Sequence, residues 1–267
     1  MEETIISISF DDGREDTYRV AYKIMRKYDL LGTIHITTGY VDNTWKNGNW
    51  RTSKGAIEIA QLHEMKEHGF EIATHSDKHI AALDDIHRSI SKLQEWKLAN
   101  KRVGFSLPNS KLIEAEKSFF VEGLKTQDVP YMRVGRSPKC YSVKSKFCYL
   151  LYTITKSQLF YNWFNHHSCN NPQDCDTYAL FSVIVRYKDK SENIVRFISS
   201  CGNSCNTWII IMLHGVLKKT DSVLGKDPWA WDSAEFERLC IQLRNMVDKK
   251  EIKVKPIIDV LDTKGDN

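Results

Sequence analysis

The chain has 267 residues, 42% hydrophobic and 27% charged, ordinary values for a soluble globular protein large enough to bury a substantial core. Its 38 Lys and Arg nearly balance 34 Asp and Glu, leaving +4 and no basic stripe, so nothing in the composition supports a nucleic-acid partner. No apolar run is long enough to span a bilayer, and Met1-Glu2-Glu3-Thr4 lacks the basic start of a secretory leader, so the expectation is no membrane span and a cytoplasmic location.

Thr4 to Phe10 alternates Ile6, Ile8 and Phe10 against Ser7 and Ser9, the period of a strand. Ala21, Ile24, Met25 and Tyr28 recur at helical spacing. Gly32 to Thr38 reads as a second strand. Ile59, Leu62 and Met65 mark a helix that Gly69 closes, and Phe70 to Thr74 follows as a third strand. Ile86, Ile90 and Leu93 mark another helix, and Val103 to Leu107 a fourth strand before Pro108. Glu114 to Thr126 reads as helix and Tyr131 to Val134 as extended chain. Phe147 to Thr155 has the composition of a strand, Trp163 to Asp176 that of a polar, aromatic-rich loop, and Thr177 to Tyr187 fits helix or strand.

Periodicity returns at Trp208 to Leu213, a continuous apolar run suited to a strand buried on both faces. Asp232 with Glu235 resembles a capping box before the stripe Phe236, Leu239, Cys240, Leu243, Met246 and Val247, and Val254 to Val260 reads as a final strand. Alternating strands and helices imply right-handed βαβ units and a mainly parallel sheet. Seven or eight units in this length fit an α/β barrel better than an open sheet, in one domain covering residues 1–267.

Several polar residues fall at one end of these strands. Asp11-Asp12-Gly13 follows the first, His75 the third, and His214 closes Trp208 to Leu213. The C-terminal strand ends of a parallel barrel share one rim, so residues distant in sequence meet there. Each piece also has a plainer reading: Asp-Asp-Gly is a common turn, and a lone His214 is a satisfied core imidazole. His75-Ser76-Asp77-Lys78-His79 spaces two imidazoles so that one helical turn would face both toward a metal. Together, two histidines and a carboxylate leave an open coordination position, as hydrolytic metals need. His166, His167, Cys169, Cys175, Cys201 and Cys205 are a weaker zinc set because their spacing is irregular; the seven cysteines are read as free thiols.

These residues resemble a family. Ser9-Phe10-Asp11-Asp12-Gly13 and His75-Ser76-Asp77-Lys78-His79 look like the first two motifs of polysaccharide deacetylases with the NodB-homology domain, carbohydrate esterase family four, and Leu213-His214 like their last. Gly32 to Val41 and Leu62 to Ile72 are similar to the family's second strand and to the run before its histidine motif. The resemblance implies a distorted, TIM-like (β/α) barrel of about seven units. It also implies Asp11 as catalytic base, Asp12, His75 and His79 as metal ligands and His214 as general acid. One divalent cation is expected, zinc by default, with cobalt, nickel or manganese compatible with the ligands.

Phe105-Ser106-Leu107-Pro108-Asn109-Ser110 departs from the third motif, which is Arg-x-Pro-Tyr: Ser106 stands where an arginine would hold the base, and Asn109 where the tyrosine would be. Arg102, Arg133 and Arg136 are candidate substitutes. The fourth motif is not recognisable, and Trp229-Ala230-Trp231-Asp232 lies after His214, out of the family's order. Residues 109–206 are divergent. The expected partner is an N-acylated sugar: a sugar nucleotide, a lipid-linked sugar or a short glycan of surface-polysaccharide metabolism, with Tyr40, Trp45, Trp50 and Trp163 as stacking candidates. The alternatives are an N-formyl sugar deformylase and a catalytically silent glycan-binding relative. The oligomeric state is left open.

Overall fold

The computed structural model describes residues 4–46, 55–110, 117–201 and 206–263. Strand β1 (Thr4–Phe10) is the central staple. Its residues Ile5 to Phe10 pair in parallel with Trp208 to Leu213 of the later apolar strand. On its other edge two strands share it: Ser9 and Phe10 pair with β2 (Thr33–Ile36), and Thr4 to Ile6 with Ile252 to Val254 near the chain end.

From β2 the sheet continues in parallel through β3 (Glu71–Thr74), β4 (Phe105–Ser106) and β5 (Met132–Arg133). Beyond β1 it runs to β7 (Trp208–Leu213) and then to β6 (Ser182–Ile184). The remaining gap is bridged where Val134 N–H donates to Leu180 O (2.8 Å), Leu180 N–H to Met132 O (3.1 Å) and Ser182 N–H to Gly135 O (2.9 Å). Seven strands therefore form a nearly closed, mainly parallel barrel in chain order, with β4 and β5 only two residues long. A short ribbon, β8 (Gly215–Leu217) against β9 (Ala230–Asp232), follows β7, and β10 (Ile252–Val254) completes the pairing on β1.

Three elements differ from the sequence reading. Phe147 to Thr155 is not a strand but the body of helix Val143–Thr155, which Ser142 caps by accepting Ser145 N–H at 3.2 Å. Its β-branched and aromatic residues mislead because much of the apolar surface faces outward. The expected strand Val254 to Val260 stops at Val254. Pro256 then opens helix Ile257–Asp262, whose Ile257, Ile258, Val260 and Leu261 pack with Trp208, Ile210, Tyr131 and Leu180 at one end of the barrel. The polar loop expected from Trp163 begins later, because Gln158–Asn165 is helical. Asp232 does cap helix Ser233–Asp248 through Ala234 N–H (2.8 Å). Glu235 does not complete a box, since its carboxylate accepts the N–H and hydroxyl of Ser191 at the start of the neighbouring helix.

A buried hydrogen-bonded chain links the strands. Ser9 Oγ meets His35 Nδ1 (3.1 Å), His35 Nε2 meets the Tyr131 hydroxyl (3.1 Å), and Tyr131 donates to Glu71 Oε1 (2.7 Å). Glu71 Oε2 accepts from Thr33 Oγ1 and from Ile258 N–H, so it also caps helix Ile257–Asp262. Burial pushes the Glu71 carboxyl up to about 7, although its hydrogen-bond donors oppose that rise.

Candidate metal and acyl-transfer site

The strand tips deliver the acidic pair and the histidines to one place. Asp11 continues β1 by donating its N–H to Leu213 O (2.9 Å), and the chain then turns through Asp12 and Gly13 at φ 81° and 79°. Glycine is required at 13: a Cβ there would lie 3.1 Å from Ile36. His75 extends β3, with its N–H on Ile36 O. His75 to His79 is not the helical turn that the spacing suggests. Ser76 and His79 take φ 68° and 55° in a tight loop. Asp85 accepts Asp77 and Lys78 N–H, and Ser76 Oγ accepts Ile80 N–H.

The loop still brings both imidazoles to Asp12. His75 Nε2 lies 3.6 Å and His79 Nε2 3.9 Å from Asp12 Oδ1, and one ligand atom from each of the three residues falls within 4.8 Å of the others. His75 Nδ1 is taken by the Ser106 carbonyl (2.9 Å), which leaves Nε2 unprotonated and directed at the cluster. Burial lowers His75 to about 4 and His79 to about 3, so both are neutral ligands at ordinary pH. Burial, with Asp11 beside it, raises Asp12 to about 8. A carboxyl so placed gains its charge readily only beside a cation, and the donor set fits a divalent ion.

Asp11 has a different environment. Burial is the largest single influence and favours its neutral form, but the Arg133 guanidinium together with His75, His214 and His35 outweighs it and holds the carboxyl well below the usual carboxylate range. Both Asp11 oxygens receive Arg133 Nη2, the contact to Oδ2 being 2.5 Å. One acid of the pair is thus kept ionised while its neighbour is kept protonated.

Residues 1–112 match the family model described as polysaccharide deacetylase. A curated relative, the putative polysaccharide deacetylase YxkH of Bacillus subtilis (strain 168), is 30% identical over 78 residues; the match covers 29% of this chain and 24% of that protein. The Xyl-CE4 domain of a multidomain xylanase from the hindgut metagenome of Trinervitermes trinervoides superposes with TM-score 0.52 at 12% identity, covering 100% of this chain and 93% of that one. Residues 1–112 thus match a polysaccharide deacetylase domain, and the chain as a whole shares the barrel fold of a carbohydrate esterase family four domain. Two further structures share the fold. Bacillus subtilis PdaA, a family 4 carbohydrate esterase, gives TM-score 0.50 at 14% identity, covering 98% and 82%. The family pseudoenzyme BA3943 of Bacillus anthracis gives 0.50 at 10%, covering 97% and 66%.

The departure at Ser106 from the third motif has a spatial answer. Ser106 on β4 is the register partner of Arg133 on β5, so the guanidinium reaches Asp11 from the next strand. Of the other candidates, Arg102 pairs with Asp262, and Arg136 is turned to Ile184 O and Asn165. The arginine was present in the sequence, but only strand register singles it out.

His214 follows β7 with its ring 4.9 Å from that of Trp229, and burial lowers it to about 4. Its Nδ1 is buried with no hydrogen-bond partner among the described residues. Trp229 lies after His214 in the chain, out of the family's order, yet the ribbon of β8 and β9 carries it back to His214. Asp227 fixes it there by accepting Trp229 N–H (2.9 Å) and, on its other oxygen, Arg14 Nη1 (2.9 Å).

Arg186, two residues beyond β6, lies 5.3 Å from the Trp229 ring and donates to the Tyr149 hydroxyl (2.9 Å). Buried Arg136 sits 4.3 Å over Phe164. Neither guanidinium forms an ion pair among the described residues; the buried Asp189 carboxyl, which lies within electrostatic reach of both, accepts from the Arg186 backbone N–H and the Tyr152 hydroxyl.

Of the stacking candidates, Trp45 lies nearly parallel to His79 at 6.4 Å, and Tyr40 is half-buried on helix Thr38–Val41. Trp163 lies beneath Lys144, and Trp50 is outside the described residues. An opening of about 570 Å³ beside His79 is lined by Ile80, Ala81, Pro108 and Asn109. Of the weaker zinc set, Cys169 and Cys201 place their sulfurs 3.7 Å apart, His166 and His167 are exposed, and Cys205 is outside the described residues.

Proposed function

We propose that this chain is a metal-dependent hydrolase that removes the N-acetyl group of a sugar. The observation that carries the reading is the asymmetric acid pair: Asp11 is held ionised by Arg133 immediately beside Asp12, which faces His75 and His79. Asp12, His75 and His79 would hold one divalent cation, zinc by default, which supplies a Lewis acid for the acyl carbonyl and for water. Asp11 takes the proton of the attacking water. His214 gives a proton to the departing amine, a poor leaving group without one. Burial keeps free His214 neutral, so it takes up that proton only as negative charge builds beside it. The Asn109 backbone N–H, at the opening near His79, is a candidate donor to the acyl oxygen.

Arg186, which lies over Trp229 beside His214 and forms no ion pair among the described residues, favours a sugar that carries phosphate: a sugar nucleotide or a lipid-linked sugar. The test is metal content of the purified protein together with acetate release from N-acetylated sugars and sugar nucleotides. Asp11→Asn is expected to lower turnover about 10²–10⁴-fold. Equal turnover by that variant removes Asp11 from the chemistry. Formate in place of acetate selects a deformylase, and sugar binding without turnover under any divalent cation selects a binding protein.

A further inference from the structure

We infer that helix Val143–Thr155 docks the protein on an anionic phospholipid bilayer. Val143, Phe147, Leu150 and Ile154 are 86%, 58%, 53% and 70% exposed, and their spacing of four, three and four residues aligns them in one stripe. Leu159, 71% exposed on the next helix, adds to the apolar surface. The opposite face is anchored: Ser145 and Tyr152 are buried, and Tyr149 packs on Tyr152 and Phe164. The stripe is therefore a fixed outer surface, of a kind that soluble monomers rarely leave bare.

Charge identifies the occupant. From Val129 to Gln173 the sequence has no Asp or Glu but has Arg133, Arg136, Lys139, Lys144, Lys146 and Lys156. The four lysines are exposed around the stripe. A second copy would bring like charge against like charge across this face. An anionic lipid surface neutralises it, while the apolar side chains enter the acyl boundary and the lysine stems reach the headgroups. No helix among the described residues is long and apolar enough to cross a membrane, so the contact is one of lying on the surface.

The helix also touches the rim. The Tyr149 hydroxyl accepts from Arg186, Arg186 lies over Trp229, and Trp229 meets His214. Docking thus goes beyond the hydrolase reading and does not depend on it; if both hold, the rim works beside sugars carried at a lipid surface.

The experiment is cosedimentation of the full chain with vesicles of phosphatidylcholine alone and of phosphatidylcholine mixed with phosphatidylglycerol. Binding is expected to the anionic vesicles and to weaken with added salt. The variant Phe147→Ser/Leu150→Ser/Ile154→Ser should stay in the supernatant, and Lys144→Gln/Lys146→Gln should bind about tenfold more weakly or less. Both should keep the wild-type melting transition and their turnover of a soluble N-acetylated sugar. Three results overturn the inference: no sedimentation with either vesicle, equal binding by the triple-serine variant, or a wild-type dimer that this variant dissociates without any vesicle binding. Vesicle binding without sugar turnover leaves docking standing and removes the hydrolase reading, and the reverse result does the opposite.

Discussion

On the β1–β3 side of the rim, the groups that could hold a cation come from two short runs, Asp11 to Gly13 and His75 to His79, each continuing its own strand. On the β5–β7 side, the supporting groups come from scattered positions: Arg133 across a strand pair from Ser106, Arg186 beyond β6, and Trp229 brought back by the β8–β9 ribbon. The first side is set by local turns, and a local change there moves the ligands directly. The second is set by register and by a returning loop, so the same spatial position can be filled from a different place in the chain. An electrostatic partner needs only to arrive at the carboxylate, from whichever strand.

The sharpest way to break this comparison is Arg133→Ser. It leaves Asp11 buried without its cation, and a loss of about 3–5 kcal/mol in denaturant unfolding is expected. Adding Ser106→Arg returns a guanidinium from the paired position on β4 and should recover part of that loss; a double variant no more stable than the single one would show that the two positions are not interchangeable.

A smaller effect tests the interior chain that joins the two sides through Glu71, Tyr131 and His35. Glu71 keeps its proton in the folded protein up to about pH 7, whereas the unfolded chain releases it near 4.5. Its contribution is therefore full below about pH 4.5 and is lost as pH rises through 7. Glu71→Gln, which cannot ionise, should gain on wild type by about 2–3 kcal/mol between pH 4 and pH 8 in parallel melting curves. A constant difference across that range would mean that the carboxyl titrates in the folded protein as it does in the unfolded chain.

The smallest expected effect is that of Trp229→Ala. The indole is 38% exposed, so unfolding should change by about 1 kcal/mol or less. Opening His214 to water should nevertheless raise its imidazole titration from about 4 toward the usual 6.5, read by NMR. An unmoved titration would mean that other walls of the site keep His214 dry.

The sequence was most legible where period and burial agree. β1 alternates, β7 is apolar on both faces, and helix Ile59–Glu67 is closed by Gly69 at φ 86°. The clustering of Asp11, Asp12, His75 and His214 followed from strand ends sharing a rim. Composition failed at Phe147 to Thr155, because strand-forming residue types there lie on a helix whose apolar stripe is outside. Spacing gave the convergence of His75 and His79 but the wrong backbone, since Asp85 and Ser76 bind the loop in a conformation that no periodicity encodes. Arg133 could be shortlisted but not chosen until Ser106 had a register partner. Trp229 is not legible from chain order, because the β8–β9 ribbon folds it back onto His214.

The hydrogen-bonded chain through Ser9, His35, Tyr131 and Glu71 has an implication for redesign. Each member answers to the next, so replacing one orphans another, and this part of the molecule resists piecemeal alteration. The long connection from β5 to β6 carries no such obligation on its outer surface. Redesign of the protein would start with that connection as an exchangeable cassette.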